Sequence, residues 1–314
     1  MRILVTGGCG YVGSVLVPKL LEAGHEVTVE DLMWFGRHLE SHAQLTVRKW
    51  DFRDVHILRG DLDAVIHLAA VANDPSGDLN PKLTWETNAL GSMRLADAAA
   101  KAGVKQFIYA SSGSVYGVSD APKVTEETPL VPISDYNKTK AVAERCVLSY
   151  SDQMAVQVIR PATVCGFSPR MRLDVVVNQL TMEACTKGKL VVKTPNAIRP
   201  HIHIEDMTDL YCWLLEHPEL TGIYNAGFEN QLVGTTAEAV RVLCNIEEPI
   251  EYAAESNDPR SYRLNSDKLL KAGFKPKHTV EDAIKDIANR FATGELVDKD
   301  ECHNVRHLRN LLRA

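Results

Sequence analysis

One stretch constrains this chain more than any other. An apolar run at residues 3–5 leads directly into Gly7, Gly8, Gly10 and Gly13. A helical pattern over residues 11–23 follows and is stopped by Gly24. The apolar run reads as a buried strand, and strand, glycine turn and helix in that order give the spacing Gly8-x-Gly10-x-x-Gly13 its meaning. The first glycines allow a tight turn. Gly10 lets the backbone approach a pyrophosphate, and Gly13 lets the helix pack close to the strand, with its N-terminal N–H groups aimed at the anion. Residues 25–30 read as the next strand. Asp31 stands at its end, 18 residues after Gly13, close to the roughly 20-residue spacing at which an acid meets the ribose hydroxyls of a dinucleotide. A carboxylate there repels a 2′-phosphate, so NAD is the expected cofactor. Arg37 is a nearby cation that would tolerate that phosphate. A glycine turn without a ligand is the alternative, and the acid in register with strand and helix weighs against it.

The pattern continues along the chain. Residues 45–49, 63–68, 104–110 and 155–159 read as strands, and residues 81–102 and 134–150 as long helices, the second capped by Ser134. Six strands interleaved with helices predict an α/β, Rossmann-type doubly wound parallel sheet, in which ligands bind at the carboxyl ends of the strands. Asp31, Ala69, Ser112 and Arg160-Pro161 all stand at such ends. Asp51 and Phe52 follow the third strand, where Asp51 either accepts from an adenine amino group or caps the next helix. Beyond 168 the alternation loosens. Helices are expected at 172–187, 205–215, 235–244, 266–272 and 279–292, and strands at 190–193, 199–204 and 222–225. The expected organisation is an NAD-binding domain over 1–168, with the chain partly returning to it at about 190–215, and a smaller substrate lobe over 169–314. The charged last fifteen residues suggest a surface helix.

Tyr136-Asn-Lys-Thr-Lys140 places a tyrosine and a lysine at i and i+4, one above the other on a helix. Ser112 leaves the neighbouring strand end. Moving a hydride to or from a carbinol requires a proton to move on its oxygen at the same time. A free tyrosine is a poor base at neutral pH, and a nearby ammonium together with a positive nicotinamide ring favours the phenolate. Ser112 would hydrogen-bond the same oxygen, and Lys140 would also hold the nicotinamide ribose. Alone, Tyr-x-x-x-Lys is common on helix surfaces; its place after the fifth strand of a dinucleotide fold gives it weight.

With these residues in view, the chain resembles an extended short-chain dehydrogenase/reductase of the NAD-dependent nucleotide-sugar epimerase/dehydratase family. The matching residues are Thr6-Gly7-x-x-Gly10-x-x-Gly13, Asp31, His67-Leu-Ala-Ala70, Asn88, Ser111-Ser-x-x-Val-Tyr-Gly117, Tyr136-x-x-x-Lys140, Arg160-Pro161 and Arg199-x-x-Ile-His-Ile-x-Asp206, and the similarity runs to about residue 290. The resemblance implies Tyr136 as base, Ser112 as polarising hydroxyl and Lys140 as cofactor and pKa partner. It implies further cofactor contacts at Gly7, Gly10, Tyr11, Val12, Gly13, Asp31, Leu32, Asp51, Phe52, Leu68, Ala69, Ala70, Asn88, Ser111 and Pro161. It also implies a homodimer through the helices at about 81–102 and 134–150. Asn178 resembles an amide that contacts a nucleotide diphosphate. Arg199 resembles one arm of a diphosphate clamp, and Arg260 or Arg263, with Arg260 preferred, the other, a role that suits the planar guanidinium. Arg170 and Arg172 could point at the sugar, with an ion pair to Asp174 or Glu205 as the plainer alternative. The dehydratases of the family resemble one another in an Asp-Glu pair just after the catalytic Ser or Thr. Here those positions are Gly113 and Ser114, so no acid stands ready to protonate a leaving hydroxyl, and 4,6-dehydration is not expected. Val164-Cys165-Gly166 replaces the usual Val-Tyr-Gly. The stretch from Ser168 to Asn178 is similar to a subgroup acting on sugars in bacterial heptose and deoxysugar pathways.

The expected function is therefore an NAD-dependent oxidoreductase on a nucleotide-diphosphate sugar, acting at C4 as an epimerase or dehydrogenase. A keto-sugar reductase and a non-catalytic NAD-binding regulator are the alternatives. Composition narrows the partners. A net charge of −6 at neutral pH argues against a broad nucleic-acid or membrane footprint. Seven scattered cysteines without a Cys-x-x-Cys pair, and no metal-ligand spacing among the histidines, suggest free thiols in the cytoplasm and no metal.

Overall fold

The computed structural model describes residues 1–54, 58, 61–119, 121–253 and 261–313. Six strands follow the expected order: β1 (Arg2–Thr6), β2 (Glu26–Asp31), β3 (Leu45–Lys49), β4 (Ala64–His67), β5 (Gln106–Ala110) and β6 (Ala155–Pro161). Then come β7 (Thr163–Cys165), β8 (Val191–Val192), β9 (Ile198–His203), β10 (Gly222–Ala226), β11 (Glu229–Leu232) and β12 (Glu251–Tyr252). The central sheet runs β3-β2-β1-β4-β5-β6-β10, and every pairing in it is parallel. Its inner strands are apolar on both faces: Ile3, Val5, Val65, Ile66, Phe107 and Ile108 are all fully buried. That is what a sheet covered by helices on both sides demands. Strand order reverses between β1 and β4, which opens a crevice above their carboxyl ends.

The helices are α1 (Gly13–Glu22), α2 (Asp74–Gly77), α3 (Pro81–Thr84), α4 (Ser92–Lys101), α5 (Asp135–Leu148), α6 (Val176–Lys187), α7 (Ile204–Glu216), α8 (Val233–Leu243), α9 (Asp267–Ala272), α10 (Val280–Ala292) and α11 (Asn304–Leu311). Ser134 caps α5 as expected, within a capping box completed by Asn137. The helix expected over 81–102 is present and continuous to Lys101, with its middle, Trp85–Gly91 between α3 and α4, wound as a π-helix. Gly91 there faces Phe52, whose ring stands 2.8 Å from where a Cβ would be. The helix expected from 172 begins only at Val176, since 166–175 is extended chain laid against α1.

The chain returns to the first sheet further on than 190–215. Helix α7 packs on α1, and β10 becomes the seventh strand beside β6. The remaining elements form a small sheet β11-β9-β7 and the pair β12-β8, backed by α6, α8 and α10 around Val177, Leu180, Val240 and Ile284. Strands β7, β11 and β12 escaped the sequence reading because two to four residues carry no readable period. Helix α11 is not a detached surface helix: Asn304 and Leu308 are buried. Among the described residues no helix is long and apolar enough to cross a membrane.

Candidate active site

A cleft of about 560 Å³ lies over the crevice. Its floor is the glycine turn, which only glycine permits. A Cβ on Gly7 would stand 2.6 Å from the Ala69 nitrogen, and one on Gly13 would stand 2.5 Å from the Gly8 carbonyl oxygen. Gly7 also has φ 75°. Backbone can thus come close at this one place, which is the cradle a dinucleotide pyrophosphate needs. At the end of β2, Asp31 accepts from the Cys9 N–H at 3.0 Å and the Met33 N–H at 2.7 Å, so the carboxylate is held rigidly beside the turn. Burial raises its pKa, opposed by those two N–H groups and by the more distant charge of Arg170. Arg37 is exposed and does not border the cleft.

Of the residues singled out from the sequence, Gly7, Gly10, Tyr11, Val12, Gly13, Asp31, Leu32, Phe52, Leu68, Ala69, Ala70, Ser111, Ser112, Tyr136, Lys140, Pro161, Arg172 and Arg199 all border this one cleft. Asp51, Asn88 and Asn178 do not. The Asp51 carboxylate is occupied by the Arg53 backbone at 3.0 Å and by its guanidinium at 2.6 Å, the capping alternative with an ion pair added. Asn88 stands behind the wall, where it brackets Val71 through both backbone groups at 2.9 and 3.0 Å. Asn178 is fully buried, accepts from Gly166 N–H, and donates to Tyr11 Oη at 3.0 Å and the Arg172 carbonyl at 2.9 Å. Its amide is saturated by these bonds and joins α6 to Tyr11 beside the glycine turn. Arg172 is bidentate on Asp174 at 2.9 and 3.2 Å, the ion-pair alternative. Arg260 lies outside the described residues.

The reacting end of the cleft is built by α5 and the exit of β5. Tyr136 is 9% exposed and Lys140 3%. The Tyr136 hydroxyl faces Ser112 and the Asn73 backbone, both of which favour its phenolate. Asn73 was not foreseen. It caps α2 by accepting from the Ser76 N–H at 2.9 Å, with φ 73° and ψ 158°, a strained backbone outside the left-handed helical region. The Asn-Asp-Pro sequence was the available signal.

Asn137 Nδ2 donates to Ser114 Oγ at 2.8 Å. The Ser114 and Ser112 hydroxyls are hydrogen-bonded at 2.7 Å, and either oxygen can donate. When Ser114 donates, the Ser112 proton is free for Tyr136 or for a substrate oxygen. Ser114 thus aims Ser112 from a position where an acid would otherwise stand. A side chain on Gly113 would sit 3.1 Å from the Pro161 carbonyl, so that position is closed as well.

The expected electrostatics are only partly realised. Burial pushes Tyr136 up to about 12, against the Ser112 hydrogen bond and the charge of Arg172 and with the Asp74 charge adding to the rise. Burial also pushes Lys140 down to about 7, with only the Glu144 charge opposing it. Lys140 Nζ donates to the Ala110 carbonyl at 2.7 Å. The protein alone therefore favours neutral tyrosine and disfavours the ammonium.

The sequence model of the NAD dependent epimerase/dehydratase family matches residues 3–227. The chain belongs to this family. Among similar proteins are a UDP-glucose 4-epimerase of Lactobacillus helveticus, 28% identical over 90% of this chain and 95% of that protein, and a UDP-glucuronic acid decarboxylase 1 of Xenopus tropicalis, 28% identical over 92% of this chain and 72% of that protein. Among solved structures, the UDP-glucose 4-epimerase of Thermus thermophilus in complex with NAD superposes with a TM-score of 0.80 at 26% identity, covering 93% of this chain and 99% of that one. The family is NAD-dependent, and the glycine cradle with Asp31 beside it fits that dinucleotide. When bound, NAD supplies the hydride acceptor and a positive ring beside Tyr136.

Proposed function

We propose that this protein is an NAD-dependent epimerase of a nucleotide-diphosphate sugar, working at C4. The observation that carries this reading is that Ser112, Tyr136 and Lys140 together line the far end of the cleft that begins at the glycine turn. Tyr136 takes the proton of the sugar hydroxyl as its carbon gives up hydride. Ser112, aimed by Ser114, donates to the same oxygen. Reversal of both steps on the other face of the sugar returns an epimer, with the proton back on oxygen. Gly113 and Ser114 carry no acid for expelling water, which supports epimerisation over dehydration. Similarity to UDP-glucose 4-epimerases over nine-tenths of the chain supports the same reading. Among the arginines that can be described, Arg199 borders the cleft from β9 and is proposed as the diphosphate contact. Residues 169–314, apart from α7 and β10, are proposed as the substrate lobe. Exposed Leu90, Met93 and Val142, on the turn before α4 and on α4 and α5, support a homodimer through these helices. Seven free cysteines support a reducing cytoplasm.

The test is the purified protein with excess NAD and a panel of UDP-, GDP-, dTDP- and CDP-sugars, with NADH absorbance and sugar identity followed in the same tubes. The expected result is a new isomer of one sugar without net NADH. Accumulating NADH with a keto-sugar would make it a dehydrogenase. Turnover only from a supplied keto-sugar with NADH would make it a reductase. Tyr136→Phe is expected to lower turnover by about 10²–10⁴-fold with NAD affinity nearly unchanged, and near-normal rates would remove Tyr136 from the mechanism.

A further inference from the structure

Arg170 is a buried cation that the catalytic reading leaves unused. It is 3% exposed. Its guanidinium carbon lies 3.9 Å from the centre of the Phe35 ring. Nη2 donates to Asn304 Oδ1 at 2.5 Å, Nη1 reaches the Met171 carbonyl only at 3.5 Å, and Nε is buried with no partner. It forms no ion pair among the described residues, and burial moves its pKa down to about 10. The acids that act on it do so from a distance, Asp174 being already bidentate with Arg172 and Asp31 held by two N–H groups, and a buried charge without a direct partner is expensive unless an anion completes it.

Its surroundings say which anion. Arg170 borders the same cleft as Gly10, Gly13 and Asp31. Its own N–H reaches Ser14 Oγ, in the first turn of α1, at 3.4 Å, and Ser168 ties the same loop to that turn through the Tyr11 carbonyl at 2.7 Å. Phe35, under the guanidinium, lies four residues beyond Asp31. The arginine therefore stands between the helix N-terminus that receives a pyrophosphate and the acid that reads a ribose. The Tyr136 end, where the sugar is proposed to react, is served by Arg172.

A second part of the chain holds this arrangement shut. The Cys302 carbonyl accepts from Leu173 N–H at 2.8 Å, and Asn304 N–H donates to Asp174 at 3.2 Å. His307 bonds the Trp34 carbonyl at 2.6 Å, and its ring packs on Phe35 at 5.0 Å. Leu296 and Cys302 share an apolar cluster with Tyr11, Met171 and Leu173. Residues 296–311 thus tie the β2 exit, the 166–174 loop and the glycine turn together across the cleft.

We propose that Arg170 is a ligand for the pyrophosphate of NAD, completing the set begun by the α1 N-terminus, and that residues 296–311 are a clasp that positions it and slows cofactor release. This rests on the NAD site alone, so failure of the sugar panel leaves it standing. The diphosphate could belong instead to the sugar nucleotide, and the experiment separates the two. The full-length protein, Arg170→Met and Arg170→Lys are titrated with NAD, ADP, adenosine, UDP and dTDP by calorimetry. Losing a charged hydrogen-bonding partner predicts that Arg170→Met binds NAD and ADP about 10- to 100-fold more weakly. Adenosine, UDP and dTDP are expected to change less than about twofold, and Arg170→Lys to recover part of the loss. Unchanged NAD affinity overturns the assignment. So does an equal loss for adenosine, which would make Arg170 a wall, and so does a loss confined to UDP or dTDP, which would give it to the substrate. Should Arg170→Met fail to fold, Asn304→Ala carries the test. It is expected to release NAD about tenfold faster, followed by displacement with excess ADP-ribose, and an unchanged release rate overturns the clasp.

Discussion

Arg160 and Arg170 are ten residues apart, equally buried, and opposite in circumstance. Arg160 sits behind the sheet end. Its Nε and Nη2 meet both Glu144 oxygens at 2.9 and 2.7 Å, and Nη1 donates to Tyr116 Oη at 2.7 Å. Ser111 donates to the same carboxylate, and Tyr116 hands its proton to Asn225 on β10. The Glu144 charge and hydrogen bonds overcome burial and raise the Arg160 pKa. Arg170 has an amide, a distant carbonyl and an aromatic face, and burial lowers its pKa. Lys140 is a third buried cation, held by a carbonyl and pushed down to about 7. The satisfied cation lies outside the cleft and joins β6, α5 and β10. The two unsatisfied ones border the cleft, and their missing partners are the chemistry the protein is built to receive.

The comparison can be broken in several places. The largest effect is expected at Glu144→Ala, which strands Arg160: a stability loss of about 3–5 kcal/mol, present already without NAD, read by chemical denaturation. A loss well under 1 kcal/mol would mean that the network is not structural. Arg170→Met should behave in the opposite way, with stability without NAD unchanged or slightly higher and about 2 kcal/mol less stabilisation on adding NAD. Thermal shift with and without cofactor measures this, and equal shifts in both proteins would put Arg170 in the same class as Arg160.

Lys140 makes a pH prediction with a definite sign. In the folded protein the ammonium loses its proton near pH 7, and unfolded it keeps it to its ordinary value of 10.5. Between these values the unfolded chain holds one more proton, so stability rises with pH through the window. Lys140→Met should remove that slope, gaining up to about 5 kcal/mol at pH 6 and converging with the parent near pH 10. Parallel curves would show that Lys140 is charged and compensated. The smallest effect is at Ser114→Ala, which frees Ser112 to turn. About fivefold in kcat is expected, with KM for the sugar little changed and Ser114→Thr recovering it. A shift in KM alone would make Ser114 a sugar contact instead of a positioning residue.

The catalytic end was readable because its signals are local. Tyr136 and Lys140 share a helix face at i and i+4, Ser112 closes a strand, and the glycines must stand together in one turn. The residues singled out from the sequence that do not border the cleft are ones whose type suits two jobs. Asn88 and Asn178 have the amides a nucleotide contact requires, and the fold uses both to saturate backbone groups in its interior. Asp51 meets Arg53 two residues on, a pairing visible in the sequence and underweighted there.

By itself the sequence determined the doubly wound sheet, the glycine turn and the acid at the end of β2, and it singled out Ser112, Tyr136 and Lys140, which border one cleft, because strand and helix periods and short turn motifs act over a few residues. Only the tertiary structure decided that β10 completes the sheet, and that the Asn73 backbone faces Tyr136. It alone brought Phe35, Arg170 and Asn304 together over the cofactor cleft. Those three are separated by more than a hundred residues at each step. No local pattern encodes such a meeting, which depends on how the lobes pack and on where a buried charge is left without a partner.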